Sequence, residues 1–283
     1  MSVWIVFVWF IVILFTIMIF VFSPKRSKSI KILMKKHKVK KHKIKKEKRK
    51  NLQSQNELVD YLVMEANSQG IIIHDEVIEA MKMVDRKDFT NAPDPYRNSP
   101  QPMDCNVVIS APNLHFRALN ELFPKLQPGN KALDIGSGSG YLVAVMALLV
   151  VDRDDESRSG KVIGIEHMQT LVDSSIINIG KHHQWLLNDG IVTIIKADGR
   201  NLNDNKIKYD AIHVGAVTDA NTANVFIDQL VDDGILVIPI QGPKGTQQLV
   251  KYTKQNNSVT KKNLLGVRYV PLTSENEQKN RKT

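Results

Sequence analysis

The nine residues ALDIGSGSG, Ala132 to Gly140, followed at once by YLVAVMALLV, constrain this chain more than any other stretch. They read as a buried strand, a glycine-dense turn and an apolar helix-like run. Gly136, Gly138 and Gly140 carry no Cβ and reach φ > 0 readily, so a bulky ligand can lie almost against the backbone where the strand ends. The alternation then continues through strand KVIGIEH, a helix from Thr170 to about His183, strands VTIIKADG and YDAIHVGAV, helix NVFIDQLV and strand GILVIPI. This order predicts an α/β fold, a doubly wound and mostly parallel sheet with helices on both faces. Ligands of such sheets gather at the carboxyl ends of the strands. QQLVKYT and LLGVRYVPLT predict two antiparallel strands at one edge, and Glu275 to Thr283 reads as a polar tail. Upstream, SQNELVDYLVMEANSQG and HDEVIEAMKMVDRKDF show helical spacing, Asn91 to Pro102 reads as a loop, and LHFRALNELFPKL reads as a further helix.

The composition is unevenly spread. Ser2 to Phe22 holds no charged residue and is almost wholly apolar, long enough as a helix to span a bilayer. No basic segment precedes it and no small-x-small site closes it, so a membrane anchor over residues 1–23 is favoured over a cleaved signal peptide. Lys25 to Lys50 carries fifteen Lys or Arg against one acid, Glu47, a net charge of +14 that exceeds the +10 of the whole chain. The rest of the chain is therefore at −4, and the basic character belongs to a linker, residues 24–53, not to the domain at 54–283. That removes the charge argument for a nucleic-acid-binding catalytic domain. A polybasic flank beside a span is expected to stay cytoplasmic and to lie near anionic headgroups, with a solvated tether as the plainer reading. The single cysteine, Cys105, excludes an intramolecular disulfide and fits a reducing compartment.

The glycine spacing is G-x-G-x-G with Tyr141 next, which departs from the dinucleotide fingerprint, and no Gly-Lys-Ser/Thr follows for a phosphate-binding loop. A nucleoside site without a phosphate clamp points to S-adenosylmethionine. Glu166, at the end of the next strand, is placed to accept hydrogen bonds from both ribose hydroxyls. Asp198-Gly199, at the end of the following one, suits an adenine amino group. Each feature alone also fits an ordinary βα turn or an exposed strand-end carboxylate; their order on three strand ends is what suggests a methyltransferase. No zinc-ligand spacing, Gly-x-Ser-x-Gly elbow or His-Glu-x-x-His occurs, so no metal site is expected.

Over about residues 54 to 278 the sequence resembles the protein-L-isoaspartate (D-aspartate) O-methyltransferases. The resemblance rests on MVDRKDF, the Pro95-Tyr96 and Ser99-Pro100 loop, VISAPNLH, ALDIGSGSG, GKVIGIEH, ADGR, YDAIHVGA, IDQL and GVRYVPLT. It implies transfer of a methyl group from S-adenosylmethionine to the free α-carboxylate of L-isoaspartyl and D-aspartyl residues in damaged proteins and peptides, by a monomeric domain needing no nucleic acid. The family's active-site serine falls on Ser110, and the segment before it, Val107, Val108 and Ile109, is implied to face cofactor and substrate. Further cofactor contacts fall on His115, Asp134, Ile135, Glu166, His167, Asp198, Gly199, Thr273 and Gln278, with Gly136, Gly138 and Gly140 beneath. Most members carry Thr where this chain has Val108, and many vertebrate members carry Asp where Glu166 stands. Two rival readings follow from the residues: a membrane-tethered cofactor-binding adaptor without catalysis, suggested by Val108, and an RNA methyltransferase served by the basic linker.

Overall fold

The computed structural model describes residues 52–152, 159–202, 207–256 and 258–280. The expected anchor, nearly all of the basic linker and most of the charged stretch from Asp152 to Ser159 lie outside the described residues. Among the described residues no helix is long and apolar enough to cross a membrane.

Helix α1 (Gln55–Asn67) starts where Ser54 accepts the Glu57 amide, and α2 (Asp75–Met83) carries Asp75 and Glu76 in its first turn, beside the positive end of the helix dipole. A 3-10 turn, Arg86–Phe89, follows. The segment expected to be loop ends in a small antiparallel hairpin of β1 (Gln101–Pro102) and β2 (Val108–Ile109), and α3 (Pro112–Leu122) begins directly with proline in its first turn. Next come β3 (Lys131–Ile135), α4 (Tyr141–Val150), β4 (Lys161–Glu166), α5 (Gln169–Asn188), β5 (Val192–Lys196), β6 (Tyr209–Val214), α6 (Ala220–Asp228) and β7 (Leu230–Gln241). The chain closes with β8 (Gln247–Gln255), β9 (Ser258–Gly266) and α7 (Glu275–Lys279).

The seven-stranded sheet runs β5-β4-β3-β6-β7-β8-β9, parallel through β7 and antiparallel at β8 and β9. The chain builds β3, β4 and β5 outward in one direction and then returns to lay β6 on the other side of β3. The crevice this reversal leaves at the strand ends, between β3 and β6, is where the glycine loop sits. All ten residues of α4 are buried, as an all-apolar helix must be.

Gly160 opens β4 at φ +106, and a Cβ there would stand 2.1 Å from the Val150 carbonyl oxygen. Gly160→Ala is therefore expected to destabilise the domain by about 2 kcal/mol, a fall in Tm of about 4–8 °C in a thermal melt.

Three expectations need correction. The helix expected to end near His183 runs on to Asn188; His183 breaks it with φ −131 and ψ 34, and its Nε2 lies 3.2 Å from the Met83 carbonyl. LLGVRYVPLT is not the last strand: β9 ends at Gly266, and the chain crosses to the end of β6, where Val217 donates to the Val270 carbonyl and Leu272 to the Val217 carbonyl, both at 2.8 Å. Pro271, which lacks an amide proton, suits that departure from the ladder. Glu275 onward is not simply a tail, because Ser274 and Glu277 close a capping box that starts α7 and buries Gln278.

Candidate active site

The loop after β3 folds back on the sheet through Gly136, Gly138 and Gly140, at φ +72, +51 and +83. The Gly136 and Ser137 amides donate to the Ile165 carbonyl at 2.8 and 3.1 Å, and the Gly138 amide to Glu166 Oε2 at 3.1 Å. Gly164, paired with Asp134 across the ladder, makes this possible. A Cβ on Gly164 would stand 3.1 Å from that of Ser137. Glu166 is buried, not the exposed carboxylate its position alone suggested; its Oε1 also accepts the His167 and Met168 amides, at 2.8 and 3.1 Å. One side chain thus fixes the glycine loop and the entry to α5 together.

Two adjoining chambers open at these strand ends. The first is walled by Val107, Val108, Glu166, His167, Gly199 and Gln278, among others. Gln278 is its latch: its Oε1 lies 2.9 Å from His167 Nε2, and its amide donates to the Cys105 carbonyl at 3.2 Å, joining α7 to the hairpin tip. The second chamber holds Ile109, Ser110, His115 and Asp134, and shares Val108, Gly136 and Gly138 with the first. Four expected site residues line neither. Ile135 is packed in the core beneath Gly199, Gly140 faces Ser175, Thr273 donates to Glu277, and the Asp198 carboxylate is taken by Arg200, whose Nη2 stands 2.6 Å away. The bond to Arg200 holds the Asp198 carboxyl below its ordinary range.

Two further buried side chains, His213 and Tyr269, adjoin the site. His213 pairs with Asp134 in register across β3 and β6, and its Nδ1 lies 2.7 Å from Asp134 Oδ1 with both side chains buried. A histidine inside the apolar strand YDAIHV was the signal for it. Tyr269 lies against Ser110, its buried hydroxyl pushed up to about 12 by burial, so it stays a phenol at neutral pH.

Several buried polar atoms around the second chamber lack a partner, among them His115 Nδ1, Ser137 Oγ and His213 Nε2. Such a cluster calls for a polar guest. A Cβ on Gly136 would meet nothing closer than 3.9 Å, so the loop leaves open space on that side. No lysine or arginine lines either chamber among the described residues. The site therefore fits a nucleoside with a polar amino-acid end and supplies no side-chain cation for a phosphate.

Burial, and next the Arg86 charge, hold the His115 ring well below its ordinary pKa, so the folded protein keeps it neutral. Below about pH 6.5 the unfolded chain takes up a proton that the fold refuses, and stability falls as pH drops. Thermal melts are expected to show a fall in Tm from pH 7 to pH 5 that is smaller in His115→Gln.

A seven-stranded sheet in this order, with a glycine loop after the interior strand β3 and a buried acid at the end of β4, is the fold of S-adenosylmethionine-dependent methyltransferases. The family model for protein-L-isoaspartate (D-aspartate) O-methyltransferase matches residues 54–277, and the chain belongs to that family. The Caenorhabditis elegans protein-L-isoaspartate O-methyltransferase is 41% identical over 228 residues, 81% of this chain and 96% of that one. The Triticum aestivum enzyme is 37% identical over 81% of this chain and 95% of its own. A Plasmodium falciparum protein described as a putative protein-L-isoaspartate O-methyltransferase, solved with S-adenosyl-L-homocysteine, superposes with a TM-score of 0.70 at 33% identity, covering 78% of this chain and 99% of that one.

Proposed function

We propose that this chain is a protein-repair enzyme that methylates the free α-carboxylate of L-isoaspartyl and D-aspartyl residues in damaged proteins, using S-adenosylmethionine. The observation that carries this reading is the family match over residues 54–277 together with Ser110 in the chamber beside the glycine loop. When bound, the cofactor supplies an electrophilic methyl group on a sulfonium. Glu166 and the glycine loop would hold its nucleoside, and Asp134 and His115 would meet its amino-acid end.

The substrate carboxylate is ionised at neutral pH, so no general base is needed. The work left to the protein is placement. Ser110 donates a hydrogen bond that orients the carboxylate in the second chamber, which Val108 joins to the first. A carboxylate oxygen takes the methyl, the carbon–sulfur bond breaks toward sulfur, and no proton moves. The methyl ester cyclises to a succinimide with loss of methanol, and hydrolysis of that ring returns part of the damage to normal aspartate. Purified protein given an isoaspartyl peptide is expected to form base-labile methyl ester that releases methanol; no ester from such peptides would overturn the reading.

The same proposal extends to the chain's setting. Ser2 to Phe22 anchors it in a membrane, residues 24–53 tether it to the anionic face, and the monomeric domain works in the cytosol. Fractionation of cells with an antibody to the C-terminal domain tests this. Retention in the pellet after carbonate extraction supports it, and release would overturn it.

A further inference from the structure

Arg86 is wholly buried. Its Nη2 donates to the Ser110 carbonyl at 2.9 Å and its Nε to the Pro95 carbonyl at 3.1 Å, and the guanidinium stands 5.8 Å from the centre of the Tyr141 ring. Nη1 is buried with no acceptor. No carboxylate among the described residues pairs with it, for the adjacent Asp85 is bonded by the Tyr96 hydroxyl at 3.0 Å and by Lys87 at 3.1 Å. Burial lowers its pKa to about 10, which leaves it a cation at neutral pH.

An interior cation without a counter-charge is costly, and a methionine of similar length would fill the space without that cost. What a hydrocarbon cannot supply is positive charge behind Ser110. The charges of the site are divided accordingly. Asp134 and Glu166 lie beside the glycine loop, where a sulfonium cofactor brings positive charge. Arg86 lies behind Ser110, where the substrate brings a negative one. His115, which shares the chamber with Ser110 and Asp134, is kept neutral and does not blur the division.

We propose that Arg86 is a positioning residue for the nucleophile: it fixes the Ser110 carbonyl and places an unpaired positive charge beside the Ser110 backbone, so that the site selects an ionised α-carboxylate over a neutral group of the same shape. The proposal rests on the isoaspartyl reading above. A residue serving only to tie two loops together would affect acid and amide ligands alike.

The test is calorimetric binding, at saturating S-adenosylhomocysteine, of an isoaspartyl peptide and of the same peptide with its α-carboxyl converted to the carboxamide. The wild-type protein is expected to prefer the acid, and Arg86→Met to lose about tenfold of that preference with unchanged affinity for S-adenosylhomocysteine. Arg86→Lys, which keeps the charge, is expected to retain most of it. Arg86→Gln, which keeps a donor for the Ser110 carbonyl, replaces the methionine variant if that fails to fold. A neutral variant with the wild-type ratio of acid to amide affinity would overturn the proposal. A wild-type protein that does not distinguish acid from amide would instead overturn the isoaspartyl reading on which it stands.

Discussion

Glu166→Ala is expected to weaken S-adenosylmethionine binding by about 100-fold, read as a Kd by calorimetry. Two losses combine. The Glu166 carboxylate accepts three backbone amides, those of Gly138, His167 and Met168, and removing it leaves them without their acceptor at the mouth of the site. A buried donor left unpaired costs about 1–3 kcal/mol, less where water enters. The second loss is direct, because an ionised carboxylate has about four acceptor positions and three are used, which leaves capacity for a ribose hydroxyl. Glu166→Asp separates the two. It keeps the charge but is one methylene shorter, so it is expected to recover part of the affinity while the loop amides remain partly unsatisfied. Wild-type affinity in Glu166→Ala would show that the carboxylate has no part in cofactor binding.

The middle of the sheet was legible because its signals are local. Buried parallel strands are short apolar runs, and the three glycines of GSGSG that follow KALDI sit at positive φ in the fold. The C-terminus was not legible for the opposite reason. Helix α7 is five residues long and its one buried side chain is polar, so it has no apolar period to find; the pattern Ser274-x-x-Glu277 was the available clue. LLGVRYVPLT looks like a strand by composition, yet where it pairs is decided by Val217, about fifty residues away, and sequence pattern carries no such distance.

The site divides in the same way. Glu166 and the glycines were readable from strand ends, and Ser110 from the resemblance. The partners of Arg86 and His213 were not: structural hydrogen bonds could be expected of Arg86 and a histidine stands out in YDAIHV, but the atoms each meets are brought close only by folding. Asp198 shows the converse: its place at a strand end was read correctly, but Arg200, two residues on, occupies its carboxylate.

Ser110→Ala is expected to lower kcat on an isoaspartyl peptide by about 100-fold, the scale of losing one preorganised donor, while the Kd for S-adenosylhomocysteine changes little. The backbone should hardly register the change. The Ser110 carbonyl is fixed by Arg86, and Pro112 fixes the first turn of α3 two residues later, so neither support depends on the hydroxyl. What is lost is the one hydroxyl that Ser110 brings to the chamber lining. The Tyr269 phenol lies against Ser110 and remains protonated at neutral pH, so it is the neighbouring donor expected to substitute in part. The double variant Ser110→Ala/Tyr269→Phe should accordingly fall below the single one. Ser110→Thr, which keeps the hydroxyl, should recover turnover in part. If Ser110→Ala turns over at the wild-type rate, the carboxylate is positioned by the Arg86 charge and the chamber walls alone, and the serine has no role in the reaction.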